Sequence, residues 1–310
     1  MLQEDLSWLE EVFNDPLFCS DSKVPLPWGW DWDTRQYLNR ERHIALKDLP
    51  TDAELEAIRQ LSNRRTTIQI LEQLHFDGPM PEHLTSAEAL DAFIERTDGA
   101  GCDFVLKTPW SSSGRGLIRS TVTPRDVMRQ RALAAIRKMG GIMAEHWFRK
   151  QQDFAMLFFV GREAVSFLGY SLFDNEESGT YRLGYLLPND AIERRLTQTS
   201  NVQPEQLHQL RDQLLSILTD LFRPFFGKAW QLGYVGIDMM TYISQCLSSP
   251  PPGEAGRRSL HPCVELNLRC TMGVVARLWA DRHLQPGQTG RFVISPMGGD
   301  GHFEAQFLVD

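Results

Sequence analysis

The chain has 310 residues, which is long enough for two or three compact units and a sizeable core. Hydrophobic residues make up 42% of it and charged residues 23%, values typical of a soluble globular protein. With 32 basic and 40 acidic side chains the net charge is −8, which argues against broad, non-specific binding to nucleic acid.

Cysteine usage and the absence of targeting segments predict a cytoplasmic protein. The cysteines are odd in number and include no Cys-x-x-Cys pair, so we expect neither a disulfide framework nor a zinc site. They are Cys19, Cys102, Cys246, Cys263 and Cys270. The acidic start of the chain lacks the apolar segment of a signal peptide, and no apolar run is as long as a membrane span.

The first 50 residues are rich in tryptophan and otherwise irregular. Trp28, Trp30 and Trp32 recur at every second position, just after two prolines. Large aromatic side chains of this kind usually pack against something. They either cap a neighbouring core or, together with Arg35, form a wall of a substrate pocket.

Three helices are expected next. Thr51 and Glu54 form a capping box, followed by apolar residues with helical spacing. Residues 63–67 interrupt this pattern, which resumes from Ile68 to Leu74. A further short helix is predicted from Ser86.

Lys107 ends a short apolar strand and is followed directly by a loop of serine and glycine. Small residues let backbone N–H groups approach phosphate oxygens closely, and a lysine on a strand supplies a fixed positive charge beside them. The loop is neither a Walker A motif nor a Gly-x-Gly-x-x-Gly motif.

Between residues 124 and 228 the sequence pattern predicts a helix, then several strands, and then a second helix. Pro124 opens the first helix, which continues to about Met139 and is ended by two glycines. Strands are expected at residues 142–148, 153–161 and 164–170, and residues 171–203 read as mixed and rich in loops. A long helix is predicted for residues 205–228, kinked or terminated by Pro224.

Asp238 lies inside the apolar segment Gly-Tyr-Val-Gly-Ile-Asp-Met-Met, which reads as a strand. Aspartate is disfavoured inside strands and is rarely fully buried without a partner. Its partner is either a metal ion shared with Glu265 and Asn267, or a basic side chain.

Residues 264–269 read as an alternating strand. Val264, Leu266 and Leu268 are expected on one face, and Glu265, Asn267 and Arg269 on the other. Carboxylate and amide oxygens suit Mg²⁺, and a fixed arginine suits a phosphate oxygen. The alternative is a half-exposed edge strand with ordinary polar residues. Because a proline-rich stretch at 248–258 separates this strand from the Asp238 strand, the two are expected to be hairpin neighbours.

Taken in this order, the segments resemble the ATP-grasp superfamily. The similarity runs from Lys107 to Gly273, about half of the chain. Its most specific part is the strand with Asp238 followed by Glu265-Leu266-Asn267-Leu268-Arg269 and Thr271-Met272-Gly273. The chain differs from that family's pattern before Lys107, where no βαβ unit or glycine-rich first turn is visible.

The resemblance implies an α+β fold in which two lobes of antiparallel sheet and helices grip ATP, with a reduced N-terminal region. Residues 1–77 are expected to pack on the large lobe as a helical and irregular region. Residues 78–143 are expected to form the small lobe, with a lid loop at 108–116, and residues 144–310 the large lobe with the metal site.

The resemblance also implies roles for individual residues. Lys107 is expected at the α- and β-phosphates and Arg269 at the transferring phosphoryl group, which makes them the catalytic candidates. Asp238, Glu265 and Asn267 are expected to hold the metal. The remaining nucleotide-binding candidates are the lid residues Ser111, Ser112, Ser113, Gly114 and Gly116, the hinge residues Glu145, His146 and Trp147, and Asp153 at the ribose.

The activity implied is that of an ADP-forming ligase, which joins a carboxylate to an amine through an acyl phosphate with ATP and Mg²⁺ or Mn²⁺. Small-molecule substrates, a monomer or homodimer, and no nucleic-acid or membrane partner are expected. A kinase on the same scaffold and a non-catalytic nucleotide-binding module are the alternatives. Candidates for the acceptor site are Trp28, Trp30, Arg35, Tyr181 and Arg182, and Arg115 is a candidate for phosphate.

Overall fold

The computed structural model describes residues 24–110, 116–176, 179–200, 202–243, 258–297 and 302–310. Their strands form two antiparallel sheets, one of four strands in the order β1-β4-β2-β3 and one of seven in the order β11-β10-β7-β6-β5-β8-β9. The smaller sheet contains β1 (Glu82–Leu84), β2 (Phe104–Lys107), β3 (Leu117–Arg119) and β4 (Ile142–His146). The larger sheet contains β5 (Arg149–Val160), β6 (Val165–Asn175), β7 (Tyr181–Leu186), β8 (Gly233–Ile243), β9 (Arg258–Asn267), β10 (Gly290–Met297) and β11 (His302–Val309).

Helices cover both sheets. They are α1 (Trp32–Arg40), α2 (Asp52–Leu61), α3 (Arg65–Gln73), α4 (Ala87–Gly99), α5 (Arg125–Met139), α6 (Asn189–Thr199), α7 (Pro204–Phe222) and α8 (Met272–His283). No helix among the described residues combines the length and the apolarity that crossing a membrane requires. The predicted α+β fold class, with two antiparallel sheets and helices, is therefore confirmed.

Local sequence signals set several helix ends as predicted. The Thr51 hydroxyl accepts a hydrogen bond from the Glu54 N–H, and the Glu54 carboxylate accepts one from the Thr51 N–H. These two bonds complete the capping box of α2. Gly140 ends α5 with a left-handed φ of 78°, a conformation that glycine adopts without steric penalty. The long helix α7 stops at Phe222, and a short 3₁₀ turn that contains Pro224 follows, which is the break predicted from that proline.

The larger sheet separates two apolar cores. One face packs against α1, α2, α3, α6 and α7, and the opposite face packs against α8. On β8, Ile237 and Met239 point into the first core, so Asp238 between them points to the face that carries α8. The smaller sheet has its own core with α4 and α5.

Three features of the chain differ from the sequence-based expectations. The irregular N-terminal part contains α1, and the loop-rich stretch before α7 contains β7 and α6. Val264 does not join Leu266 and Leu268 in the core but is half-buried and lines a cavity. The reason is a bulge in β9. Between the pairs Asp238–Glu265 and Met240–His261, β9 has more residues than β8, and the extra residues shift the alternation of the β9 side chains.

Candidate functional site

A cavity of about 770 Å³ lies between the two sheets. Its walls come from β2, β3 and β4 of the smaller sheet and from β5, β6, β8 and β9 of the larger one. The first turn of α8, the tryptophan-rich N-terminal segment, Tyr181 at the start of β7 and Arg64 also line it. Residues that are far apart in sequence therefore face one volume of the size that small-molecule sites usually have.

The predicted acidic cluster forms along the β8–β9 pair. Asp238 lies directly opposite Glu265, and Gly236 lies opposite Asn267. The Asn267 Nδ2 donates to Asp238 Oδ2 over 3.0 Å, and the Arg269 Nη2 donates to Asn267 Oδ1 over 3.2 Å. The observed partner of the half-buried Asp238 is therefore the Asn267 amide, and not the basic side chain that was one of the two expected partners. The four residues predicted to act together are adjacent.

The two carboxylates of the cluster repel each other. Burial and the negative charge of Glu265 raise the pKa of Asp238 to about 7, although the Asn267 hydrogen bond opposes the shift. Like charges placed directly opposite on neighbouring strands are destabilising. An additional positive charge at this point would relieve that repulsion.

The donor set of this cluster suits a hard divalent cation. Asp238 and Glu265 supply carboxylate oxygens and Asn267 an amide oxygen, which are the ligands that Mg²⁺ prefers. The amide of Asn267 must rotate for this role, because its nitrogen now faces Asp238. Within the described ranges no group of three or more His, Cys, Asp or Glu side chains is placed to hold a metal, so the third protein ligand of a cation at this cluster would be the Asn267 amide.

The shifted Asp238 carboxyl predicts a particular dependence of stability on pH when chelator is present. The pKa of Asp238 is about 7 in the folded protein, against an ordinary value of 3.8, so between these pH values the folded protein keeps a proton that the unfolded chain releases. Stability is therefore lost as pH rises through that window, by up to about 1.4 kcal/mol per pH unit. Asp238→Asn removes the titration, so its melting temperature should exceed that of the wild type at pH 8 and approach it near pH 4. Asp77→Asn, at an exposed carboxylate, serves as the control, and an unchanged pH slope in Asp238→Asn would contradict the assignment.

Lys107 and Glu145 meet across the β2–β4 pair of the smaller sheet. The lysine Nζ lies 2.5 Å from Glu145 Oε2, and only about a tenth of either side chain is exposed. Both residues line the cavity, as do the other two hinge candidates, His146 and Trp147. Burial lowers the pKa of His146, which favours the neutral ring.

Asp153 lies in the same cavity, on the same face of the larger sheet as Asp238. It forms an ion pair with Lys150 and accepts a hydrogen bond of 3.0 Å from Asn175 Nδ2. Burial nevertheless raises the pKa of its carboxyl above the usual value. An acid held in this way can accept hydrogen bonds from the hydroxyl groups of a ligand.

Most of the predicted lid lies outside the described residues, namely Ser111, Ser112, Ser113, Gly114 and also Arg115. Gly116 follows them with a left-handed φ of 79°. Its carbonyl accepts a hydrogen bond from the Thr108 N–H over 3.3 Å, which closes the base of this segment.

The structure separates the acceptor-site candidates into two groups. Trp28 and Tyr181 line the cavity, and the Trp28 carbonyl accepts from the Cys270 N–H over 2.6 Å, beside the bridge between Gly29 and Arg269. The remaining three are engaged elsewhere. Trp30 is buried against Trp230, Arg35 pairs with Asp52, and Arg182 pairs with Asp174 and Glu176.

Two arginines that line the cavity were missed in the sequence. Arg64 pairs with Glu265, with its Nη2 2.9 Å from Glu265 Oε1, and Arg119 stacks on Trp147 at 4.9 Å from the ring centroid. Arg64 stands in the stretch that appeared only to interrupt a helical pattern. Its neighbours Asn63, Thr66 and Thr67 are buried as well. In the sequence, the only sign of a site was this run of polar residues between two apolar helical segments.

No protein-family model matches the chain, and no curated protein matches it. Among solved structures, the chain is similar to N5-carboxyaminoimidazole ribonucleotide synthetase from Thermus thermophilus, at 16% identity and a TM-score of 0.49, over 84% of this chain and 63% of that one. It is also similar to biotin carboxylase from Campylobacter jejuni in a complex named as β-γ-ATP, at 11% identity and a TM-score of 0.49, over 86% and 58% of the two chains. A third is the biotin carboxylase domain of 2-oxoglutarate carboxylase from Hydrogenobacter thermophilus, with MgADP and bicarbonate, at 9% identity and a TM-score of 0.47, over 78% and 51%.

The chain spans between about half and two thirds of the length of these proteins. The sequence pattern described above resembles that of the ATP-grasp superfamily. The described residues adopt the class of fold which that resemblance implies, with helices and two antiparallel sheets around a shared cavity.

Proposed function

We propose that this protein is an ADP-forming ligase that uses ATP and a divalent cation to join a carboxylate to an amine. The observation that carries the proposal is the arrangement of opposite charges around one cavity. Asp238, Glu265 and Asn267 stand on the β8–β9 pair, and Lys107 and Arg269 line the same volume. Phosphoryl transfer depends chiefly on such positioning and on neutralising charge.

The reaction proceeds in two steps. A carboxylate oxygen of the first substrate attacks the γ-phosphorus of ATP, the bond from that phosphorus to the β,γ-bridging oxygen breaks, and ADP leaves. The amine then attacks the acyl carbon, phosphate leaves with the former carboxylate oxygen, and a proton is lost from nitrogen. Lys107 holds the α- and β-phosphates during the first step, and Arg269 stabilises charge on the transferring phosphoryl group.

The remaining residues bind and orient the nucleotide. Asp238, Glu265 and Asn267 hold Mg²⁺ or Mn²⁺, which supplies positive charge beside the phosphates. Glu145, His146 and Trp147 on and after β4 provide the adenine wall, and Asp153 accepts from the ribose hydroxyls. The nucleotide lies between a small lobe at 78–143 and a large lobe at 144–310, with Gly116 beside its phosphates.

The test is the dependence of ADP and phosphate release on both substrates. The purified protein is incubated with Mg²⁺-ATP and pools of small carboxylates and amines, and the pools are then divided until one pair is left. We expect phosphate release only when an acid and an amine are both present. With the acid labelled by heavy oxygen in its carboxylate, one labelled atom should appear in the released phosphate.

Two other outcomes would replace this proposal. ADP formation without an amine, together with a stable phosphorylated product, would identify a kinase. Tight binding of Mg²⁺-ATP without any turnover across the pools would favour a non-catalytic nucleotide-binding module.

A further inference from the structure

Arg64 connects three separate parts of the chain at the edge of the cavity. It stands in the corner between α2 and α3, with 7% of its side chain exposed. Its Nη2 donates to Glu265 Oε1 over 2.9 Å, and its Nη1 donates to the Thr108 carbonyl over 2.8 Å. Its backbone N–H donates to the Pro109 carbonyl over 3.0 Å. The guanidinium is thus held between a candidate metal ligand and the residues that follow Lys107.

The contact with Glu265 competes with cation binding at the same carboxylate. Glu265 faces the half-buried Asp238 across the β8–β9 pair and forms an ion pair with Arg64. A divalent cation between the two acids brings a double positive charge within a few ångströms of the guanidinium. Two positive groups at that distance repel each other, and the repulsion is strongest where water is excluded.

Resting on the function proposed above, we propose that Arg64 is an anion-binding residue that exchanges partners when the cation binds. While no cation is present, Arg64 neutralises Glu265. When a divalent cation takes Glu265, the Nη2 of Arg64 turns to an oxygen of the nucleotide phosphates that arrive with the cation. The bond from Nη1 to Thr108 keeps the guanidinium at the cavity during this exchange.

This arrangement makes the binding of cation and anion depend on each other. A cation that binds alone must separate Arg64 from Glu265 and leave the guanidinium facing another positive charge. An accompanying phosphate removes that penalty, because arginine binds phosphate oxygens well. By thermodynamic linkage each ligand then raises the affinity for the other by the same factor.

The test compares the wild type with Arg64→Gln and Arg65→Gln. Arg65 is the next residue and is exposed, so Arg65→Gln is the matched control. Free Mn²⁺ is titrated by electron paramagnetic resonance, first alone and then with the non-hydrolysable analogue AMP-PNP. In Arg64→Gln we expect Mn²⁺ alone to bind about fivefold more tightly, because a competing positive charge is gone. We expect the Mn²⁺-AMP-PNP complex to bind at least about tenfold more weakly, because a charged hydrogen bond to phosphate is lost. Arg65→Gln should match the wild type in both titrations.

Arg64→Lys provides a second variant that keeps the charge. It should leave the affinity for Mn²⁺ alone near the wild-type value and still weaken the analogue complex, because lysine lacks the second nitrogen that reaches Thr108. If folded Arg64→Gln or Arg64→Lys bound both Mn²⁺ and the Mn²⁺-AMP-PNP complex as the wild type does, the role of Arg64 would be overturned, and the proposed function would be unaffected. Failure of the wild type to bind Mn²⁺, with or without AMP-PNP, would instead overturn the proposed function.

Discussion

Replacing Glu265 with glutamine, or Asn267 with alanine, is expected to lower Mg²⁺-dependent ADP formation about a thousandfold, while the protein stays folded. Glu265→Gln removes the negative charge of one ligand in the cluster on β8 and β9, and Asn267→Ala removes an amide oxygen from it. Either change weakens the binding of a cation that must also be positioned against the phosphates. The measurement is steady-state ADP formation with an identified pair of substrates, across a range of Mg²⁺ concentrations. A rise in the Mg²⁺ concentration needed for half-maximal rate would connect the loss to the metal.

The control for Glu265→Gln is Glu72→Gln, at an exposed position on α3. It carries the same change of charge outside the cavity and should keep full activity. Melting temperatures separate loss of function from loss of fold. Full turnover in both Glu265→Gln and Asn267→Ala would remove the metal assignment.

Lys107→Ala is expected to weaken nucleotide binding by about ten- to a hundredfold, which corresponds to the loss of a hydrogen bond between charged groups. We expect the effect on binding before any effect on the rate, because Lys107 faces the cavity from the end of β2 with its ammonium group beside Glu145. The measurement is calorimetric titration with AMP-PNP and Mg²⁺.

Because Lys107→Ala leaves the mostly buried Glu145 without its lysine, Lys107→Gln is the companion variant, since its amide can still donate to that carboxylate. Lys138→Ala, at an exposed position on α5, is the control for charge. An AMP-PNP affinity equal to that of the wild type in Lys107→Ala would remove this residue from the phosphate site.

The acidic cluster was predictable because its geometry is local. Two apolar strands, each with polar residues at fixed positions, form neighbours in the sheet, and their register brings Asp238 opposite Glu265 and Gly236 opposite Asn267. The same reasoning placed Lys107 and Glu145 on strands that proved to be paired. Capping residues and glycines likewise fixed helix ends, because each acts within one turn of the chain.

The contacts of Arg64 were not predictable in this way. Arg64 and Glu265 are 201 positions apart, and their contact depends on how α3 packs against β9, which no local pattern records. Arg35 failed as a pocket candidate for the same reason, because its partner Asp52 is brought to it by the packing of α1 and α2. The orientation of Val264 depended on a bulge that an alternating pattern conceals.

The pairing of β8 with β9 has a practical consequence for engineering. Paired residues from Gly236–Asn267 to Ile243–Arg258 hold the two strands in register, so the proposed cation ligands take their spacing from backbone hydrogen bonds. The 14 positions that join these strands, 244–257, lie outside the described residues. Because the ladder itself sets the spacing, a change in the length of this connector is expected to leave the distance between Asp238 and Glu265 unchanged.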